Sequence, residues 1–484
     1  SNDQEIRETA ALAMGISQMT EAVPDLVEVV KDTPAGRRLC DRSEVDDRTR
    51  AFAAYGLGLI GYATSNIDVK RQVFETLKPV LNDEDIVNRN IPVAIINAIG
   101  LLKPDTSNDK GKQLFTEITT ELRAFYEKDL GRGRQLIQAH VPPAIAKLFE
   151  SVDTEANADL AELKTKFKDR FKAEIEGKGK RSPDDTIIQS AVVGLGRLAD
   201  RYDDKRDPDG KYSEALLKYY KRGKDHQAQY FALMALGQIG GEENRKNLLL
   251  ALEKGNKAFE KPWAAVSLGV LAHKNYELMG RRATVDTQVG QQLQNWLPKL
   301  KNPSTLAALS VGLGLVKYGE SADQLRSMLE KHRNKDDLAG YMCIGLALMD
   351  DQHSLDVIRN LVETSVRRPG RLQQAAIALG KLGDKSAAEV LVRMMTEGDQ
   401  NLAKMSAIAS ALGYIGDRRT ISPLITMLFD ESITDISRAF AAVALGGIAD
   451  KELLPWNSKI GVNINYRASV ETLTNQVSGI LDIL

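Results

Sequence analysis

The sequence has few of the residues that build catalytic and metal centres. It contains two cysteines and five histidines among 484 residues. No histidine is followed by glutamate, and none pairs with a second histidine or a cysteine at the spacing that zinc sites use. The sequence therefore predicts no metal site and no cofactor. The five histidines are His140, His226, His273, His332 and His353.

Other features of enzymes and membrane proteins are also missing. The sequence lacks a Gly-x-Ser-x-Gly motif, a phosphate-binding loop and a cysteine with an evident base. No apolar run reaches the roughly 18 residues that a transmembrane helix needs. Lysine and arginine total 65 against 66 for aspartate and glutamate, a net charge of −1, so attraction to nucleic acid has no global source. We therefore expect a chain that is not an enzyme.

The sequence does contain a short motif that recurs every 33 residues. Near the end of successive helical patterns, a small residue recurs at Gly314, Ala347, Gly380, Gly413 and Gly446. A fixed period of this length is typical of a stack of helical hairpins, in which each hairpin contacts its neighbours. Small residues allow adjacent helix axes to approach to the short end of the roughly 8–10 Å range.

In the earlier part of the chain the same small residue persists at longer steps. About twelve units result, and the extra residues fall in connectors rich in charge, glycine and proline. We expect three such connectors, residues 33–47, 202–211 and 276–288, to be loops on one face of the stack. The seven earlier positions are Gly15, Gly58, Gly100, Ala146, Gly196, Gly237 and Gly269.

The regular units resemble the HEAT-like repeats of the type first described in phycobilin lyases. The phrase GDRRTISPLITMLFDE, residues 416–431, is similar to the turn and second helix of that family, and AIASALGYI before it is similar to the first helix. Gly416 is expected to end a helix in the left-handed conformation, and Asp417 to cap the next one. Acid pairs at other junctions, such as Asp184-Asp185 and Asp350-Asp351, are expected to cap helices too.

The resemblance is close over residues 303–450 and implies an all-α fold of a bacterial multi-repeat protein. The expected architecture is an armadillo-like α-solenoid of about twelve HEAT-like hairpins with a short β-like C-terminal cap. Residues 1–302 are expected to form HEAT-like repeats with expanded loops, residues 303–450 regular 33-residue repeats, and residues 451–484 a cap or tail. The family implies little about function, because one fold supports many activities.

The tail departs from the helical pattern. Four apolar residues alternate there with polar or small ones, and a period of two predicts a strand-like segment. We expect this segment to cap the open end of the stack. The alternative is that it docks on another molecule or another copy of the chain, which would give self-association. The alternating apolar residues are Ile460, Val462, Ile464 and Tyr466.

The sequence is compatible with either a cytoplasmic or an exported protein. Cys40 and Cys343 lie in distant repeats, so a disulfide between them is not expected. Disulfide-free repeat proteins are found on either side of a membrane. The chain begins with Ser1-Asn2-Asp3 and no methionine, which is compatible with a removed tag or leader.

Two motif matches are better explained by the repeats. Gly56, Gly58 and Gly61 satisfy the Gly-x-Gly-x-x-Gly pattern of dinucleotide-binding folds, which requires a preceding strand. A helical pattern precedes them here, so we interpret them as packing positions. The Asp-Pro-Asp-Gly sequence at residues 207–210 suggests a calcium loop, but Lys205 and Leu216 stand where carboxylates are required. We expect a solvated turn.

The candidate partner-binding site is a strip of positive charge on two second helices that stacking would place side by side. Residues 164–181 carry eight basic residues against three acids, and residues 218–224 carry four basic residues and two tyrosines. Such a strip is most simply a solvated helix face whose lysine stems cover apolar neighbours. If it binds a partner, an acidic protein segment is favoured over nucleic acid, and a phosphorylated ligand is a further alternative. The candidate residues are Lys166, Lys168, Arg170, Lys172, Lys218, Tyr219, Lys221 and Arg222.

The functional hypothesis is a non-enzymatic scaffold that presents a concave surface of second helices to partner proteins. The sequence predicts no membrane span and no clear nucleic-acid partner. Two alternatives stay open. One is binding of a chromophore or other ligand in the manner of phycobilin lyases, which the resemblance implies. The other is nucleic-acid binding through the basic strip.

Overall fold

The structure, a computed structural model, describes residues 3–179, 183–257, 259–365, 367–396 and 402–449. Within these residues every regular element is a helix and no strand occurs. The all-α fold that the repeat period predicts is therefore confirmed. The predicted β-like cap and tail, residues 451–484, lie outside the described residues. Two compact units make up the described part, one ending at Ile239 and the other beginning at Gly240.

The first unit is a stack of helical hairpins. The first helix of each hairpin packs on the first helix of the next, and the second helices pack beside them. The first helices are α1 (Gln4–Ile16), α4 (Asp47–Ala63), α6 (Asn90–Leu101), α9 (Val141–Phe149), α11 (Asp185–Leu198) and α13 (His226–Ile239). The second helices are α2 (Val23–Val30), α5 (Ile67–Leu81), α7 (Asp109–Glu127), α10 (Ala158–Ile175) and α12 (Gly210–Arg222), and two short helices are α3 (Pro34–Cys40) and α8 (Gln135–Gln138).

The second unit follows the same plan. Its first helices are α15 (Glu260–Met279), α17 (Pro303–Val316), α19 (Asp336–Leu348), α21 (Pro369–Leu382), α23 (Leu402–Ile415) and α25 (Asp435–Ala449). Its second helices are α14 (Glu242–Lys254), α16 (Thr287–Trp296), α18 (Ala322–His332), α20 (Leu355–Thr364), α22 (Ala388–Thr396) and α24 (Ile421–Phe429). Short 3-10 helices at Thr20–Ala22, Arg132–Arg134, Gly280–Arg282, Leu297–Lys299, Gly319–Ser321, Gln352–Ser354 and Arg418–Thr420 complete the two units.

The predicted small residues lie where consecutive first helices touch. All twelve positions fall in first helices, one in each. A methyl group on Gly58 of α4 would lie 2.7 Å from Cα of Ala98 in α6, and one on Gly196 of α11 would lie 2.7 Å from Cα of Ala235 in α13. No side-chain carbon fits at such distances, so the absence of a side chain permits the backbone contact.

The second unit repeats this contact. A methyl group on Gly314 of α17 would lie 2.6 Å from the carbonyl oxygen of Gly345 in α19. One on Gly413 of α23 would lie 3.2 Å from Cα of Gly447 in α25. No first helix follows α25 among the described residues, so the contact predicted for Gly446 lies outside them.

Two sequence interpretations concerning glycine are also confirmed. Gly56, Gly58 and Gly61 all lie inside α4, in the interior of a helix, where dinucleotide binding has no strand or turn to use. Gly416 adopts the left-handed conformation with φ of 63° and ends α23, and the side chain of Asp417 then accepts a hydrogen bond from the backbone N–H of Arg419 at 3.0 Å.

The predictions for the three connectors were wrong in part. Residues 34–40 form the helix α3 rather than a loop, because Thr33 caps it through Gly36 N–H at 3.1 Å and Pro34 occupies its first position. The helix α15 runs on to Met279, four residues into the predicted loop 276–288, and α12 begins at Gly210, inside the predicted loop 202–211. The proposed boundary at residue 303 rests on repeat length and stays a prediction.

Charged side chains join consecutive hairpins at the helix ends. The buried Lys70 of α5 donates to the carbonyl oxygens of Gly61 at 2.5 Å and Leu102 at 2.6 Å, at the ends of α4 and α6. Burial lowers the pKa of Lys70 to about 8. One amine thereby satisfies carbonyl groups from two hairpins, which the helices leave without partners of their own.

Arginine–aspartate ion pairs likewise join consecutive hairpins in the second unit. Arg326 of α18 donates to Asp351 at 2.5 Å, and Arg359 of α20 donates to Asp384 at 2.7 Å, one repeat later. The carboxylate of Asp351 therefore bridges two hairpins, whereas the sequence predicted a helix cap, which its side chain does not form. The cap predicted for Asp184 is confirmed, since its carboxylate accepts from Thr186 N–H at 2.9 Å.

Replacing Gly314 by alanine tests the backbone contact. We expect Gly314→Ala to lower the free energy of unfolding by about 1–3 kcal/mol, the usual cost of overpacking, because the new methyl overlaps the Gly345 carbonyl. The matched control is Gly370→Ala in the first turn of α21, where nothing lies within 4 Å of the methyl position. That variant should be neutral or up to about 1 kcal/mol more stable. Urea denaturation measures both, and equal effects would contradict the packing role of Gly314.

Candidate partner-binding surface

The two helices of the predicted basic strip lie side by side and run in the same direction. Lys211 and Tyr212, early in α12, both contact the carboxylate of Asp169 in α10, at 3.0 and 2.8 Å. Towards the ends of the two helices, Ile175 of α10 and Tyr219 of α12 line one groove. The predicted neighbourhood of these helices is therefore confirmed.

Acids in α10 and at its C-cap neutralise three of its candidate cations. Ion pairs join Lys166 to Glu162, Arg170 to Glu174 and Lys172 to Glu176, each at 2.7 Å and each spanning one helical turn. The carboxylate of Glu174 is fully buried, and Arg170 also stacks over the ring of Tyr126 in α7. Hydrogen bonds from Lys172 and then Lys178 lower the pKa of Glu176.

The connector between α11 and α12 neutralises the fourth candidate cation of α10. Lys168 has a side chain that is 5% exposed, and its Nζ lies 2.6 Å from Asp209 and 3.6 Å from Asp200. Asp200 also pairs with Lys164 at 2.9 Å. Burial acts to raise the pKa of Asp200, but the two lysines outweigh it and the net pKa is lowered. The positive charge of α10 is therefore largely balanced within the chain.

The same connector contains the match to a calcium loop. The carboxylate of Asp207 accepts the backbone N–H groups of Asp203 at 2.6 Å and Asp204 at 2.9 Å, and Asp204 pairs with Arg206. Its acids hold the turn together and bind lysines of α10. The interpretation of this segment as a turn is confirmed.

The cations at the end of α12 are exposed to solvent. Lys218, Lys221, Arg222 and Lys224 are exposed, and within the part of the chain that the structure describes none of them has an acidic partner within 4 Å. Tyr219 lies among them and is half-buried, and burial raises the pKa of its hydroxyl. Lys221 and Arg222 stand in the last turn, where the helix dipole favours cations. We call these four cations with Tyr219 the α12 patch.

The α12 patch borders a groove of about 430 Å³, the α10–α12 groove. Ile175, Ala215 and Tyr219 give it apolar surface, and the wall towards α11 includes Asp185. Burial, and then the charges of Asp225 and Asp184, raise the pKa of Asp185. The groove therefore combines an apolar floor with one cationic and one acidic wall. Sequence reasoning did not find it, since its lining comes from three helices and two connectors.

Other kinds of site are not evident among the described residues. No cluster of three or more histidine, cysteine, aspartate or glutamate side chains there is arranged to hold a metal ion. None of the helices that the structure describes has the length and apolar character needed to cross a bilayer. Cys40 and Cys343 are both buried and free, and burial raises the pKa of the Cys343 thiol to about 12.

Neutralising Asp209 tests whether Lys168 belongs to the interior of the protein. We expect Asp209→Asn to lower the free energy of unfolding by about 3 kcal/mol, because it leaves a buried ammonium without its main counter-charge. The control is Glu162→Gln, which removes the partner of the exposed Lys166 and should cost at most about 1 kcal/mol. Chemical denaturation compares the two variants. A similar small loss in both would show that Lys168 is solvated.

The sequence matches two repeat families and no curated protein. HEAT repeats match residues 322–411, and the PBS lyase HEAT-like repeat matches residues 406–430. No curated protein matches. These two matches overlap the region in which the sequence phrase is most regular.

Several solved structures are similar to the chain at low identity. Importin beta is 11% identical with a TM-score of 0.37, and the match covers 92% of this chain and 56% of importin beta, a little over half its length. An engineered protein is 16% identical with a TM-score of 0.29, and the match covers 88% of this chain and 99% of that one. A chain from work on the interaction between cadherin and beta-catenin is 12% identical with a TM-score of 0.27, covering 88% and 100%.

The stacked hairpins of the chain and the two repeat matches agree with each other. Each unit stacks helical pairs through their first helices, and the 33-residue phrase falls in the matched region. The chain is a HEAT-like repeat protein.

Proposed function

We propose that the chain is a non-enzymatic scaffold that binds an acidic segment of a partner protein at the α12 patch. HEAT-like solenoids typically serve as protein-interaction scaffolds, because stacked repeats offer long continuous surfaces. The observation that supports this patch in particular is the contrast between its neighbours. The cations of α10 form ion pairs within the chain. The cations at the end of α12 instead face solvent, namely Lys218, Lys221, Arg222 and Lys224.

A protein segment suits this surface better than a nucleic acid. The sequence has a net charge of −1, so it lacks the global positive charge that attracts a continuous phosphate backbone. The apolar floor, with Ile175 and Tyr219, favours side chains that bury apolar area. Chromophore binding in the manner of phycobilin lyases receives no comparable support from the described residues.

The test compares partner capture by three forms of the chain. The patch variant replaces all four cations of the α12 patch by glutamine. We expect it to retain at least about tenfold less of an acidic partner from an extract of the source organism, since several rim charges are lost together. Immobilised protein and quantitative mass spectrometry give the measurement. The control variant removes four exposed cations elsewhere on the chain: Lys110→Gln, Arg123→Gln, Lys254→Gln and Lys301→Gln.

The control should retain the same proteins as the unaltered chain. Capture should also weaken as salt is raised, because the attraction is between exposed charges. Equal retention by the patch variant and the control would contradict the proposal. Failure of the unaltered chain to retain any specific protein would contradict it as well.

A further inference from the structure

A second groove lies at the matching place one pair of second helices earlier. It has a volume of about 320 Å³ and is lined by residues at the ends of α5 and α7 and by the start of α6. Val80, Ile86, Pro92, Phe125 and Leu130 form its apolar part. We call it the α5–α7 groove. Like the α10–α12 groove, it opens where two second helices end and a connector begins.

Both grooves lie on one edge of the first unit. In α5 and α7, ion pairs join Arg71 to Glu117 and then Lys78 to Glu121, so these helices run in parallel. Tyr126, near the end of α7, makes an edge-to-face ring contact with Phe171, near the end of α10, with centroids 6.1 Å apart. The carboxyl ends of α5, α7, α10 and α12 are therefore neighbours along this edge.

The short helix α8 separates the two grooves. Gln138 donates to the carbonyl oxygens of Phe125 at 2.8 Å and Lys128 at 2.7 Å, which fixes α8 to the end of α7. Gln135 accepts the backbone N–H of Asp184 at 2.7 Å, which fixes it to the start of α11. These hydrogen bonds hold α8 between the α5–α7 groove, which Ile137 lines, and the α10–α12 groove, which Pro183 and Asp185 line.

The distance between the grooves suits an extended peptide. Their centres are separated by two helix spacings, which amount to roughly 16–20 Å. An extended chain advances about 3.3 Å per residue, so roughly six residues span that distance. Side chains six residues apart in an extended chain point to the same face. Two apolar side chains at this separation can therefore enter both grooves at once.

The two grooves differ in charge. In the α5–α7 groove, Lys128 pairs with Glu84 at 2.7 Å, and Asp83 and Asp129 add two further acids to the single remaining cation, Arg134. In the α10–α12 groove, Glu174 and Glu176 are paired with cations of α10, which leaves the α12 patch in excess. The edge is thus acidic at one end and basic at the other.

We propose that this edge binds one extended segment of a partner protein, with two apolar anchors about six residues apart in the two grooves. The segment carries acidic residues beside the anchor in the α10–α12 groove and a basic residue beside the other. The proposal rests on the proposed function, since it assigns the α12 patch to the same partner. It adds the α5–α7 groove, the spacing of the anchors and the direction of charge.

The probe is a fluorescein-labelled peptide of fourteen residues. It carries two leucines six residues apart, a lysine beside one and two aspartates beside the other, in a background of serine and threonine. A single-anchor peptide replaces the leucine beside the lysine by serine. Fluorescence anisotropy gives both dissociation constants, and we expect the two-anchor peptide to bind at least about fivefold more tightly.

Variants of the chain test which groove each anchor of the peptide occupies. Leu130→Ser alters the α5–α7 groove and should weaken the two-anchor peptide about fivefold while leaving the single-anchor peptide unchanged. Its matched control is Val87→Ser, nearby but outside the groove, where the side chain is 83% exposed. That variant should bind both peptides normally. The patch variant should weaken both peptides, because the aspartates face its lost cations.

The outcomes separate this inference from the proposed function. Equal binding of the two peptides, or no effect of Leu130→Ser, would overturn the two-groove site even if the patch variant still weakened binding. No effect of the patch variant would contradict the α12 patch itself. Absence of binding to the unaltered chain would also overturn the two-groove site.

Discussion

The close approach of consecutive first helices is the constraint on which the rest of each unit depends. At Gly58, Gly196 and Gly314 the neighbouring backbone or Cβ lies where a side chain would otherwise begin. Such contacts exclude water and fix the distance between hairpins, since closely packed interiors tolerate little added volume. Each hairpin is therefore positioned by its neighbour, and the period of the contact appears in the sequence as a period of small residues.

The second helices of the first unit differ in length and charge, and these differences give the unit a varied surface. They range from the 8 residues of α2 to the 19 of α7. The cations of α10 form ion pairs with acids one helical turn away or in the connector before α12. The cations at the end of α12 are exposed to solvent. The close glycine contacts between hairpins lie in the layer of first helices, so the exposed faces of the second helices can differ from repeat to repeat.

The repeat period was enough to predict the twelve first helices, because each needs the same small residue at the same place. The sequence was less informative wherever the partner of a residue lies far along the chain. Lys168 looks like a surface cation, yet its counter-charge, Asp209, stands 41 residues later. The grooves are harder still, since several helices and connectors meet in each. Thr33 and Pro34, by contrast, form a local signal for the start of α3, even though residues 33–47 have the composition of a loop.

Amide hydrogen exchange tests the central claim most directly, namely that stacking of the first helices holds each unit together. Amides in α6 and α11, which are flanked on both sides by first helices, should exchange only on global unfolding of the first unit. Amides in the last turn of α12 should exchange far faster, through local opening. The account would be contradicted if α6 and α11 exchanged as fast as the end of α12.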